Sequence, residues 1–275
     1  MIGILWLVPD GRCRETGATG EALVTQSDRI ASLVALLEAR GSCSITMLAD
    51  HFAVSDETIR RDVRQLEASG RAYKVHGGVK LPDNRLEAPY RLRMQAQADA
   101  KQAIARRAAT LIEDGMTVLI DSGTTSCWVA RALADRRRLT IVTNNLEVAG
   151  DMLGRDGIRV FLAGGAVNVD YRATFDAEAI RYSRGFSPDA TILSMGAIEA
   201  KRGFMDFEPD EAAYKRALLD GARRVIVVAD AAKFDRAGTV HVADFAQVHD
   251  LVTDLPAPPV IADAATRAGV RLHTV

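Results

Sequence analysis

The sequence predicts an α/β protein, an N-terminal winged helix-turn-helix followed by a larger α/β domain. Two short helices around a tight turn, with a glycine-centred hairpin after them, predict the first part. From Met116 onward, short Val/Ile/Leu-rich runs alternate with helical stretches, and this alternation predicts the second. A chain of 275 residues has room for two domains, and 48% hydrophobic with 26% charged residues is the composition of a globular protein. The net charge of −1 argues against a protein that coats nucleic acid nonspecifically; a sequence-specific binder needs only a local basic face.

Residues 1–25 are expected to be a flexible N-terminal extension. "MIGILWLV" is too short to span a bilayer and lacks the basic start of a signal peptide. Residues 26–81 carry the winged module. "SDRIASLVALLEARG" offers Ser27 as cap, Ile30, Leu33, Val34 and Leu37 as an apolar stripe, and Gly41 as stop. "SITMLADHFAVS" reads as a short helix with Ile45, Leu48, Ala49 and Phe52 apolar, then a turn through Ala53 and Val54, so that the helix-turn-helix motif spans about 43–62. In "VSDETIRRDVRQLEASG", Ser55 suits the N-cap, Asp56 and Glu57 the first turn and Gly70 the stop, giving a helix from Asp56 to Ala68. Ile59, Val63 and Leu66 share one face of it. Arg61 and Arg64 fall opposite, with Arg60 on one flank and Thr58 and Gln65 on the other.

Charge on the outer face of a helix is ordinarily solvation alone. Following a short helix and a tight turn, this face suits a major groove: Arg60, Arg61 and Arg64 for phosphates or guanines, Thr58 and Gln65 for base edges. Ser44, Thr46 and Ser55 at the helix starts join the candidate DNA-binding set. So do Lys74 and His76 in "RAYKVHGGVKL", a hairpin around Gly77 and Gly78 to which Arg71 and Lys80 add charge.

Residues 82–98 are expected to be a linker, beginning as a loop around Pro82 and Pro89. A helix follows with Lys101, Ile104, Ala105, Ala108 and Ile112 on one stripe. The α/β domain is expected over 99–255, with 256–275 as a C-terminal tail. Its strands are "TVLID", "LTIVTN", "IRVFLAG", "ATILSMG" and "RRVIVVAD"; helices are expected at 126–135, 146–153 and 209–221. In "LIDSGTTSCWVARAL" a strand ends at Asp121, a loop runs through Ser122, Gly123, Thr124 and Thr125, and a helix starts near Ser126. Gly123 permits close approach of backbone to a ligand, and the N–H groups of a helix start suit a phosphate. A simple cap explains such a loop equally well. "VTNN" and "LAGGAV", at two further strand ends, add polar and glycine-rich loops on the same edge, which favours a site.

"VSDETIRRDVRQLEASG" followed by "KVHGGV" resembles the signature of the DeoR family of bacterial transcriptional regulators. The resemblance runs from Gln26 to Asp254, through "DSGTT", "TNN", "GG", Gly196-Ala197, "ADAAKF" and "VTD". It implies a sensor domain similar in fold to ribose-5-phosphate isomerase and coenzyme A transferases that binds phosphorylated sugars or related metabolites. By that resemblance Asp121, Ser122, Gly123, Thr124 and Thr125 form a phosphate loop, and Asn144, Gly164, Gly165 and Gly196 line the pocket. Lys101, Glu211, Lys215 and Lys233 stand near its mouth. Each of these four has a plain alternative: Lys215 follows Glu211 at i+4 as a surface pair would, Lys233 is placed to pair with Asp230, and Lys101 suits a helix surface. The chain departs from the family pattern at Phe175-Asp176, where a glycine is expected, and in "AIEAKRGFMDFEPDE".

No catalytic residue, metal site or cofactor is expected. His51, His76, His241, His249 and His273 are dispersed, and no P-loop or nucleophile elbow is present. Trp6 and Trp128 read as packing groups. Cys13, Cys43 and Cys127 lack CxxC spacing, which suits a reduced, cytoplasmic setting. Two functions stay open: a homo-oligomeric (dimeric or tetrameric) repressor of carbohydrate-metabolism genes whose operator affinity a phosphorylated sugar modulates, or an isomerase-like or transferase-like enzyme carrying a DNA-binding module. For the second, Asp121, Glu211 and Asp230 are the available bases.

Overall fold

A computed structural model describes residues 26–40, 42–68, 72–75, 78–80, 89–234 and 236–275. The expected extension, with Trp6 and Cys13, lies outside the described residues, as do Gly41, Gly70, Arg71, His76, Gly77 and Pro82. The chain divides into two compact units, Met1–Pro82 and Asp83–Val275.

The first unit contains α1 (Gln26–Arg40), β1 (Ser42–Cys43), α2 (Ile45–Phe52), α3 (Asp56–Ala68), β2 (Tyr73–Val75) and β3 (Gly78–Lys80). Ser27 lies within the span of α1. The wing gains a strand that the sequence pattern did not show, since β1 pairs antiparallel with β3, which pairs with β2. Ser44 caps α2, its Oγ accepting the Met47 N–H at 3.1 Å. The helix stops at Ala53, which adopts a left-handed conformation with φ 52°. α3 spans the expected residues and buries Ile59, Val63 and Leu66 against Leu33, Leu37, Leu48 and Val79. Full burial of such a side chain contributes about 1.5–3 kcal/mol.

Asp62 shares that inner face of α3. It is fully buried and accepts bonds from Arg29 Nε at 2.6 Å, Arg29 Nη2 at 3.2 Å and Gln26 Nε2 at 2.9 Å. This clamp fixes α3 against α1 and so sets which face of α3 remains outward.

The second unit runs α4 (Tyr90–Gln95), α5 (Ala98–Ala109), β4 (Thr117–Ile120), α6 (Thr124–Ala132), β5 (Thr140–Thr143), α7 (Leu146–Met152) and β6 (Arg159–Leu162). A hairpin of β7 (Val167–Asn168) and β8 (Ala173–Thr174) follows, then α8 (Ala177–Arg184), β9 (Ala190–Ser194), β10 (Ala197–Glu199) and β11 (Gly203–Asp206). The unit ends with α9 (Pro209–Leu219), β12 (Val225–Val228), β13 (Val240–Ala243), β14 (Asp250–Thr253), α10 (Pro259–Arg267) and β15 (Arg271–Thr274). All five expected strands are present in one parallel sheet ordered β15-β14-β12-β9-β4-β5-β6. Strands β10, β11 and β13 form a separate antiparallel sheet.

Alternation along each strand builds two cores. Val118, Ile120, Ile226 and Val228 pack on one face with residues of α5 to α7, while Leu119, Val225 and Val227 pack on the other with residues of α8 to α10. The chain winds from β4 outward through β5 and β6, returns to β9 on the other side of β4, and continues outward to β15. Its direction therefore reverses between β4 and β9, and a doubly wound sheet places its ligand crevice at the carboxyl ends of such a strand pair.

Two boundary expectations are corrected. Residues 256–275 are not a tail: α10 packs on the core through Ile261 and Ala265, and β15 is an edge strand of the main sheet. The sequence of β15, Arg-Leu-His-Thr, is polar because only β14 neighbours it. Residues 82–98 include the helix α4, whose Tyr90 is buried.

β15 is anchored through Asp250, fully buried at the start of β14. Its carboxylate accepts Arg224 at 2.6 and 2.9 Å, Arg271 at 3.0 and 2.9 Å, and His273 Nε2 at 2.7 Å. Arg107 donates to the other ring nitrogen of His273 at 2.9 Å, which leaves Nε2–H as the donor to Asp250. Although burial alone raises a carboxyl, these donors hold Asp250 well below the usual carboxylate range. Asp250→Ala is expected to cost about 2–3 kcal/mol in urea unfolding at pH 7, less than a wholly buried pair because Arg224 and Arg271 can turn to water. A depressed carboxylate stabilises fully above its unfolded pKa, so the gap from wild type should close as pH falls below about 4. A gap constant with pH would exclude this anchor.

Candidate functional site

Two sets of residues were expected to act, one in each unit. In the first, Arg60, Arg61, Arg64 and Gln65 are exposed on α3, Thr58 is half-buried, and Ser44 and Thr46 are exposed at the start of α2. Ser55 Oγ accepts the Thr58 N–H at 3.2 Å and meets Thr58 Oγ1 at 2.9 Å, so both hydroxyls serve the cap of α3. Arg64 pairs with Glu57 and donates to the Arg60 carbonyl at 3.2 Å. Arg60 and Arg61 have no acidic partner among the described residues. On the wing Lys74 is 3.4 Å from Glu67, and His76 lies outside the described residues. The guanidinium groups of Arg60 and Arg61 on a well-anchored helix offer cations to a polyanion without first breaking an ion pair, while Arg64 would have to leave Glu57.

In the second unit the expected phosphate loop lies at the reversal point of the sheet. β4 ends at Ile120 and α6 begins at Thr124, two residues before the expected start. Gly123 is the N-cap and provides no side-chain bond, leaving the first-turn N–H groups of α6 without a cap. The need for glycine differs from the one expected. A Cβ at position 123 would stand 1.4 Å from Ser194 Oγ, so Gly123 allows the loop after β4 to nest against the end of β9. Asp121 secures the same junction: Oδ1 accepts Gly123 N–H at 3.2 Å, and Oδ2 accepts Ser194 N–H at 3.0 Å.

Lys215 joins these strand ends from α9. Its ammonium lies 2.6 Å from Asp206, 2.8 Å from Glu211 and 3.3 Å from Asp121, with every partner buried. The Glu211–Lys215 spacing is the i+4 pair read from sequence, but it is an interior pair and not a surface one. Burial pushes the ammonium toward neutrality, yet Asp206, Glu211 and Asp121 outweigh it and raise Lys215 well above its ordinary value. It therefore remains a cation. Ser122 Oγ donates to Glu211 at 3.4 Å and ties the loop to this cluster.

Asn144 and Asn145 follow β5 and are fully buried. Asn145 caps α7 through the Glu147 and Val148 N–H groups at 2.9 and 3.0 Å, and its amide donates to the Ser122 and Tyr171 carbonyls at 3.4 and 3.3 Å. Asn144 donates to the Thr174 carbonyl at 2.7 Å, while its Oδ1 has no hydrogen-bond partner among the described residues. Ser126 Oγ, in the first turn of α6, is likewise buried without a partner.

The other expected residues are more scattered in role. Gly165 has φ 131° and lies against Asp176, which caps α8 where a glycine was expected. Gly164 has open space around it. Gly196 lies against Asp206 and the Phe207 ring. Lys101 is buried and donates to the Arg93 carbonyl, which ties α5 to α4. Lys233 is half-buried in a 3-10 turn, and Asp230 bonds the Ala232 N–H at 3.1 Å. Two surface concavities, of about 150 and 280 Å³, are lined by Leu119, Arg184 and neighbours and by Arg106, Arg136 and neighbours; neither includes the strand-end residues. The buried polar groups, and not cavity size, single out the strand ends.

Pattern reading missed Ser194, Asp206 as the nearest partner of Lys215, and Arg93, whose guanidinium stands 4.9 Å from the Tyr171 ring. A serine closing the apolar run Ala-Thr-Ile-Leu-Ser was the available signal for the first. The other two depend on contacts between elements distant in sequence. Among the described residues no group of His, Cys, Asp and Glu is arranged to hold a metal. Burial pushes the Cys127 thiol up to about 11, which leaves it a poor nucleophile.

Comparison with known proteins gives a consistent result across both units. Residues 29–85 match the DeoR-like helix-turn-helix domain and residues 96–255 the DeoR C terminal sensor domain. The glycerol-3-phosphate regulon repressor of Escherichia coli (strain K12) is 32% identical over 248 residues, covering 90% of this chain and 98% of the relative. The transcriptional repressor AccR of Agrobacterium fabrum is 34% identical over 229 residues, covering 82% and 89%. Among solved structures, ribose 5 phosphate isomerase A from Neisseria gonorrhoeae is similar at 13% identity and a TM-score of 0.38, over 50% of this chain and 54% of that one, a likeness too slight to bear on chemistry.

Replacing Lys215 by Met would leave three buried carboxylates without their cation. A loss of about 3–5 kcal/mol is expected in urea unfolding at pH 7. An unchanged midpoint would contradict the cluster as the anchor of the strand ends.

Proposed function

The chain belongs to the DeoR family of bacterial transcriptional regulators, and on that footing we propose that it represses genes of carbohydrate metabolism by binding operator DNA. A phosphorylated sugar or related metabolite at the strand-end site sets its DNA affinity. The observation that carries this reading is the uncapped start of α6 at the reversal point of the sheet, in the same chain as an arginine face on α3. Arg60 and Arg61 anchor phosphates or guanines, Arg64 joins them by exchanging Glu57 for DNA, and Gln65 with Thr58 reads base edges. Ser44, Ser55 and Thr46 place helix-start N–H groups and hydroxyls near the backbone, with Lys74 on the wing.

The effector's phosphate rests on the loop Ser122 to Thr125, where helix-start N–H groups favour an anion. We infer binding without turnover. Asp121 and Glu211 are held by Lys215, which stays charged, so neither is poised as a general base. One short reading helix covers one half-site, and pairing symmetric half-sites multiplies affinity, so the working form is a dimer or tetramer. Its place is the cytoplasm, with the DNA; among the described residues no helix is long and apolar enough to cross a membrane.

Arg61→Ala should weaken operator binding about fivefold or more and reduce the slope of log affinity against log salt by about one, with effector binding unchanged. Electrophoretic mobility shift across a salt series reads both, and an unaltered slope removes Arg61 from the interface. Thr124→Ala should leave operator affinity intact and weaken the response to phosphosugars about tenfold. A normal response would remove the loop from the effector site.

A further inference from the structure

We propose that the strand-end site selects a metabolite with one anionic end and a remainder rich in hydroxyl or amino donors, and that Asn144 enforces this choice. The proposal rests on the effector reading given above and adds the ligand's chemistry. Asn144 donates through Nδ2 to the Thr174 carbonyl at 2.7 Å. A carbonyl partner fixes which end of the amide is nitrogen, because the amide oxygen cannot donate. Oδ1 is therefore the end left without a partner among the described residues, in a residue with 0% exposure. A buried acceptor of this kind is satisfied by a hydroxyl or ammonium and is repelled by a phosphate or carboxylate oxygen.

The surroundings impose the same polarity. Ile120 is in register with Thr143, which sets Asn144 beside Asp121 across one strand spacing. Asp121, Asp206 and Glu211 converge there on the Lys215 ammonium, so carboxylate oxygens, which accept hydrogen bonds, line this buried region. Hydroxyl and amino groups are welcome there and a second anion is not. The opposite preference holds at the first turn of α6, where uncapped N–H groups accompany Ser126, whose buried Oγ has no partner among the described residues and can donate to an anion. Phosphate monoesters of polyols, aldoses and amino sugars fit both ends. Bisphosphates and phosphorylated sugar acids carry an anion into the wrong one.

Isothermal titration calorimetry of the full chain tests this with glycerol 3-phosphate, glucosamine 6-phosphate and two matched pairs: glucose 6-phosphate against 6-phosphogluconate, and fructose 6-phosphate against fructose 1,6-bisphosphate. At least one monophosphate should bind, with its doubly anionic counterpart at least tenfold weaker. Asn144→Ala should weaken the monophosphate about tenfold and shrink that ratio, whereas Ser126→Ala should weaken both members of a pair alike and preserve it. Thermal melting of both variants separates folding losses from ligand effects, because a purely structural role for Asn144 would not move the ratio. Equal or tighter binding of the bisphosphate or sugar acid, or a ratio unchanged in Asn144→Ala, overturns the proposal. Silence from every phosphorylated compound, with operator binding intact, would instead overturn the effector reading on which it rests.

Discussion

A lysine ammonium with 1% exposure persists in a protein interior only where its charge is matched, and Lys215 is matched by carboxylates from three separate places in the chain. Asp121 comes from the end of β4, Asp206 from the end of β11 and Glu211 from α9. The cation thus holds the main sheet, the small antiparallel sheet and a covering helix at one point. The strand-end arrangement depends on it: Asp121, once oriented, receives the Gly123 and Ser194 N–H groups and sets the loop from which α6 departs. Removing the cation would not simply delete a contact. It would leave like charges facing each other at the point where the chain reverses across the sheet.

From this point contacts run toward the start of the sensor unit. Asn145 bonds the Tyr171 carbonyl, the Tyr171 ring lies under Arg93, and the Arg93 carbonyl accepts the buried Lys101 ammonium. The helix carrying Arg93 is the first described element after the winged module. On the proposed effector reading, a metabolite at the strand ends would act on residues continuous with that helix. Continuity alone transmits nothing; switching requires that the metabolite bind two arrangements with unequal affinity.

Much of this was legible in the sequence, for physical reasons that vary by element. The buried strands β4, β5, β9 and β12 and the three apolar positions of α3 follow from periodicity alone, because each is surrounded by apolar neighbours on the face that counts; β6 reads the same way but lies at the sheet edge, where its residues are half-buried or exposed. The loop Asp121 to Thr125 stood out as polar residues directly after a buried strand. The C-terminal strand did not, since its exposed edge position permits Arg-Leu-His-Thr and its anchor is Asp250, which lies 21 residues before Arg271 and 23 before His273. Asp62 does not stand out in the sequence of so charged a helix. Only its 300° position relative to Ile59, together with Arg29 on another helix, makes it an interior group. The Glu211–Lys215 pair was visible as a pair, but its burial was set by the packing of α9 against strands that the i+4 spacing does not report.

The central claim is that operator DNA and a phosphorylated metabolite bind one chain at two coupled sites. The most direct measurement is reciprocity: the affinity of glycerol 3-phosphate, or of whichever monophosphate binds, with and without saturating operator, set beside operator affinity with and without that metabolite. Linkage requires the two ratios to be equal and different from one. A metabolite that binds with the same affinity in the presence and absence of operator would contradict the account.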